Sequence, residues 1–219
     1  MDKTKGRHRM RLESHILFLV LFVVNFSSCT PKEDTAGKPA TTVDYTDRPG
    51  FTEIQSPGDG HEILNNLEGS WYKSGSGYLP SASGPTPTAG TAKGQWILKG
   101  NFFEWREESW PITDSTRVSE SIYHFGYDNL RQMYVLWIMS TESVMTQYLI
   151  GKSEAENQLT FRRTSIISYK RKEIAFHVRL VINFSDENSL IMEYFEQWDA
   201  LEVNNGKEFQ LWRNEFTKN

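Results

Sequence analysis

Four carboxylates, Glu104, Glu107, Glu108 and Asp114, crowd one stretch of the chain. A pair of carboxylates is what general acid/base chemistry asks for. Successive residues of a strand point to opposite faces, however, so Glu107 and Glu108 do not form a pair, and each is expected to be solvated. Beyond residue 28 the histidines are His61, His124 and His177, without the paired spacing of a metal site. His61-Glu62 opens like a zinc-protease helix, but Asn65 stands where the second histidine belongs. Ser76 sits in Gly-Ser-Gly without a Gly-x-Ser-x-Gly elbow, and no glycine-rich loop leads into Lys-Ser/Thr. These residue types in this spacing predict no enzyme, no metal and no cofactor.

Arg162, Arg163, Lys170, Arg171 and Lys172 form a basic hairpin end around Tyr169, suited to phosphate contact or simply to solvation. The whole chain carries a net charge of −4, and removal of residues 1–28 makes the remainder more acidic still. A nucleic-acid binder would be basic, so that class is excluded. The aromatic residues remain. Trp105, Trp137, Tyr148, Phe161 and Tyr194 all fall on expected strands and are candidates for lining an interior ligand site. The inner face of strand 132–140 is open, because both of its alternating sets are apolar.

Cys29 is the only cysteine. It ends an apolar run, Ile16–Phe26, that follows Lys3, Lys5, Arg7, Arg9 and Arg11 and leads into Ser27-Ser28. The run is about half the ~20 residues a membrane-spanning helix needs. Basic start, short apolar core and small residues are the layout of a secretory signal. With the cysteine at the cleavage point it resembles a bacterial lipoprotein signal, which implies acylation of Cys29, a lipid anchor and residence in the cell envelope, in the outer membrane on its periplasmic or surface face. Lys32-Glu33-Asp34 resembles a surface-export signal of some lipoproteins. Acylation would leave no free thiol.

The elements follow from composition and period. Residues 29–58 have too little apolar content to fold and read as a tether behind the 1–28 signal. Asp59 with Glu62 three residues on reads as a capped helix start, and Ile63, Leu64 and Leu67 give it one apolar face. Strands are expected near 69–73, 94–99, 102–109, 116–127, 132–140, 144–151, 158–165, 175–184, 189–198 and 208–217. The clearest is 175–184, where Phe176, Val178, Leu180, Ile182 and Phe184 share a face. Short turns rich in Gly, Asn, Asp and Ser imply antiparallel neighbours. Residues 59–219 therefore predict an all-β domain: a closed antiparallel up-and-down barrel of about 8–10 strands, or a sandwich, preceded by one short helix. Residues 74–92, rich in Gly, Ser, Pro and Thr, read as a long loop and a candidate lid, with Tyr78 and Leu79 as its apolar handle.

Gly69-Ser70-Trp71 after a short helix resembles the Gly-x-Trp motif of lipocalins. The resemblance implies that Trp71 packs against a basic residue of the last strand, for which Arg213 is the candidate. His61-x-x-Leu64-x-x-Leu67-x-Gly69-x-Trp71, Trp96 to Phe102, Phe125 to Trp137 and Tyr148-x-x-Gly151 resemble a bacterial family of unknown function with a lipocalin-like barrel. The expected function is a membrane-anchored lipoprotein whose barrel binds a small apolar or amphipathic ligand. The alternative is a structural or protein-interaction lipoprotein with a filled barrel. Oligomeric state is left open.

Overall fold

The computed structural model describes residues 56–78, 84–169, 172–199 and 206–219. The signal, most of the tether, Cys29 and Leu79 lie outside them. The strands are β1 (Gly69–Tyr78), β2 (Pro85–Ile97), β3 (Phe102–Pro111), β4 (Ser119–Asp128) and β5 (Met133–Ser140), followed by β6 (Ser143–Ala155), β7 (Gln158–Tyr169), β8 (Lys172–Asp186), β9 (Ser189–Trp198) and β10 (Phe209–Lys218). Each pairs antiparallel with its sequence neighbour, and β1 pairs with β10 to close a ten-stranded barrel. Closure leaves no edge strand to template aggregation. All-β class, up-and-down order and preceding helix agree with the sequence expectation.

A 3₁₀ helix, Asp59–Leu67, plugs one end, with Leu64 and Leu67 fully buried. Its cap differs from the expected Asp59/Glu62 box. Gly58 is the capping position, and its N–H donates to His61 Nδ1 at 3.1 Å. His61 is buried between the rings of Trp96 and Tyr127, so it does the reaching back that Glu62 was expected to do.

Above this plug the inward residues are large and apolar. Trp71, Phe103, Trp105, Phe125, Leu136, Leu149, Phe161, Leu180 and Phe216 are among the most buried side chains. Trp71 Nε1 donates to the Leu67 carbonyl at 3.0 Å, tying the first strand to the plug. On β8 the face from Phe176 to Phe184 points inward as the alternation requires. On β5 the structure chooses Tyr134, Leu136 and Ile138 for the inside, leaving Val135 and Trp137 outside and half-buried.

The expected loop 74–92 is largely sheet. β1 runs on to Tyr78 and β2 starts at Pro85, in register from Gly69↔Gly94 to Tyr78↔Pro85. Small residues are required there because side chains cross them. A Cβ on Gly90 would lie 2.2 Å from the Glu108 carbonyl oxygen and 3.2 Å from Lys73 Cδ.

Candidate functional site

The barrel is filled only in its plugged half. Towards the end that carries the β1–β2, β3–β4 and β5–β6 hairpins it holds a cavity of about 410 Å³, within the range of small-molecule sites. Strand polarity explains its position. β1 enters from the plug with Trp71 inward, then Lys73, and beyond them only Gly75 and Gly77. β3 repeats the sequence, with Trp105 inward, then Glu107 and Ser109.

Lys73 and Glu107 form an ion pair at the base of the cavity, each side chain 5% exposed. Lys73 Nζ also donates to Ser109 Oγ at 2.8 Å. With its amide turned to suit its neighbours, Asn214 accepts from Lys73 Nζ at 3.2 Å and donates to the Arg213 carbonyl at 3.1 Å. The ammonium's three donors are thereby used. Glu107 Oε2 is buried and has no hydrogen-bond partner among the described residues, and nor does Thr88 Oγ1 on the same wall.

The remaining walls mix rings and polar groups. Ser121 and Ser140 join their hydroxyls at 3.0 Å, and the Tyr194 hydroxyl donates to Gln147 Oε1 at 2.9 Å. Trp212 stacks on Tyr194, centroids 5.4 Å apart and planes at 11°. Burial is the chief reason the Tyr123 phenol is held well above its ordinary range, helped by the charge of Glu107. Burial likewise raises Tyr194. Both therefore present neutral hydroxyls. Glu196, also on the wall, is raised by burial, against which the Trp198 indole N–H works. A second hollow, of about 470 Å³, lies where β10 bulges and shares Ser76, Gly77, Tyr78, Leu211 and Trp212 with the first.

The five aromatic candidates scatter. Tyr194 lines the cavity. Trp105 and Phe161 are packed in the solid half beneath it. Trp137 and Tyr148 correct the expectation: they pair across β5 and β6 on the outer surface, centroids 5.1 Å apart, with Tyr148 41% exposed. Tyr78 stands at the cavity mouth at the end of β1, and Leu79 lies outside the described residues. The cavity is also more polar than an aromatic-lined site with few polar groups.

Trp71 has a basic partner from the last strand, but it is Lys218. The register opposes Trp71 to Lys218, whose Nζ lies 5.2 Å from the ring centroid. Gly69 clears the way at φ +118°, where a Cβ would meet Lys218 Cε at 2.9 Å. Arg213 lies opposite Ser76 and pairs with Glu193 and Glu215. Sequence reasoning missed Lys73, although its period-two relation to Trp71 on a strand was a usable signal.

Other charged groups pair on the outer face. Glu104 accepts from Arg106 at 2.7 Å and meets His124 Nε2 at 3.0 Å. Thr164 Oγ1 lies 3.0 Å from His177 Nδ1, and His177 Nε2 lies 3.1 Å from Asp199 Oδ2. Among the described residues no three metal-binding side chains cluster. Nor is any helix there long and apolar enough to cross a membrane.

Residues 56–216 match the family described as "Protein of unknown function (DUF1579)", and the chain belongs to that family. No curated protein matches the sequence. Among solved structures the fold is similar to the crystal structure of Rv2717c from M. tuberculosis. That likeness has a TM-score of 0.53 at 13% identity and covers 75% of this chain and 99% of that one. An S-type phycobiliprotein lyase, CPES from Guillardia theta, aligns with a TM-score of 0.47 at 11% identity, covering 78% of this chain and 98% of that one.

Proposed function

We propose that this DUF1579 member is a ligand-carrying barrel, tethered to an envelope membrane by a lipid on Cys29, that holds one small amphipathic molecule in its hollow half. The observation that supports the binding role is the cavity of about 410 Å³ above a packed floor. Cores otherwise close to crystal-like density, and a polar hollow of this size is not needed to stabilise a barrel. The walls suit an amphipathic occupant. Trp212, Tyr194, Tyr123 and Ile138 offer apolar surface, while Glu107 and the serines offer polar points. The anchor rests on the signal layout around the single cysteine.

A naphthyl probe whose fluorescence rises in apolar surroundings tests the site. Wild type is expected to enhance it, and Ser121→Phe/Ser140→Phe, which fills the cavity from two strands, to abolish the enhancement. Equal fluorescence from both proteins overturns the assignment.

A protein-interaction role is the second reading, favoured by the outer apolar patch. Phe102, Trp137 and Tyr148 touch in series there, and Ile150 beside them is 45% exposed. Sedimentation of Trp137→Ser/Tyr148→Ser tests it: dissociation of a wild-type oligomer supports it, and a monomer in both cases removes it.

A further inference from the structure

We infer that the molecule held in the cavity enters with an uncharged hydrogen-bond donor, an alcohol hydroxyl, leading, and that this hydroxyl donates to Glu107 Oε2. The inference rests on the ligand-carrying reading and adds the chemistry of the leading group.

The base of the cavity is where this is decided. Glu107 spends one carboxylate oxygen on Lys73 and leaves Oε2 buried with no partner among the described residues. A buried carboxylate oxygen left unpaired is destabilising, and a donor arriving there recovers that loss. The group must donate, because an ionised carboxylate only accepts. An acid head, as on a fatty acid, is the wrong match. It would bring a second carboxylate beside Glu107, and the adjacent cation, Lys73, already has its three donors on Glu107, Ser109 and Asn214. Arg117, the other cation on the wall, belongs to the β3–β4 connection at the mouth, away from the base. An ammonium head is the lesser match. It would set a second cation beside Lys73 in a pair that is already neutral, and it pays a larger desolvation cost than a hydroxyl. The neighbouring Tyr123 phenol is neutral and does not change this balance. Of the two other buried polar atoms without a partner among the described residues, Trp105 Nε1 is packed in the solid half, while Thr88 Oγ1 lies nearer the mouth and suits a further hydroxyl on the same molecule.

Calorimetric titration of the full-length chain with decan-1-ol, its methyl ether, decylammonium and decanoate is the test. The ether keeps the oxygen and removes the donor. Decan-1-ol is expected to bind about tenfold or more tightly than the ether, as for one hydrogen bond to a charged group, with decylammonium and decanoate weaker than the alcohol. Glu107→Gln alone strands Lys73, so the informative variant is Lys73→Met/Glu107→Leu, which leaves no unpaired charge. In it the alcohol and the ether are expected to bind alike. Equal binding of alcohol and ether by wild type, or a preference that persists in the double variant, overturns the inference. Tighter binding of decanoate or decylammonium overturns the leading group and leaves the ligand-carrying reading standing. Binding of none of the four overturns both.

Discussion

Lys73 reaches Glu107 across an intervening strand. Lys73 is on β1 and Glu107 on β3, and between them β2 offers Gly90, opposite Lys73 and opposite Ser109. The pair is thus built from three strands and sits where the packed half of the barrel ends.

Removing one partner should be far worse than removing both. Lys73→Met or Glu107→Leu alone leaves a buried charge and is expected to cost about 3–5 kcal/mol, whereas the double variant should be neutral or more stable. Urea denaturation of the three proteins checks this. Additive losses would show that the two side chains do not interact and would contradict the pairing.

Gly90→Ala should destabilise by about 1–3 kcal/mol, because its Cβ would meet backbone of β3 that cannot move alone. The measurement is a melting curve. An unchanged Tm would mean that β2 runs differently.

Trp71→Ala is expected to cost about 3–5 kcal/mol as a large core truncation. Lys218→Met should cost about 0.5–1 kcal/mol through its cation–π contact. In a double-mutant cycle with Trp71→Phe, coupling should appear for Lys218 and be absent for Arg213. Coupling to Arg213 instead would contradict the register.

Glu104 gives the stability a pH dependence. The hydrogen bond from Arg106 is the largest cause that lowers its pKa from 4.5 to about 2, with His124 and Gln95 assisting. A carboxylate depressed in the fold stabilises above its unfolded value and loses that contribution as pH falls through the folded one. Arg106 is 60% exposed, so solvent screening reduces the effect to about 1–2 kcal/mol. Glu104→Gln should be less stable than wild type by that amount at pH 7, the gap closing between about pH 4.5 and 2. A gap that stays constant to pH 2 would refute the linkage.

Much of this was legible in the residues. β8 announced its inner face through Phe176, Val178, Leu180, Ile182 and Phe184, since one face meets core and the other solvent. β5 did not, because Trp137 is covered on the outside by Phe102 and Tyr148, so both faces are apolar. Residues 74–92 read as a loop because Gly, Ser and Pro usually break strands. Their smallness instead makes room for Lys73, Trp212 and Asn214 from other strands, partners that no local window contains. The cavity base was hidden for the same reason, since Glu107 looks solvated until Lys73 is placed opposite it.

Cys29→Ser should move the protein from the membrane fraction to the soluble fraction and abolish palmitate labelling, since stable anchoring takes more than one acyl chain. Unchanged fractionation would remove the anchor from the proposal.

The most direct measurement of the ligand-carrying role is native mass spectrometry of the full-length protein taken from its own membrane. The expected result is one small organic molecule per chain beyond any lipid on Cys29, present in wild type and missing from Ser121→Phe/Ser140→Phe. Wild type without such a molecule, or both proteins carrying it equally, would contradict the account.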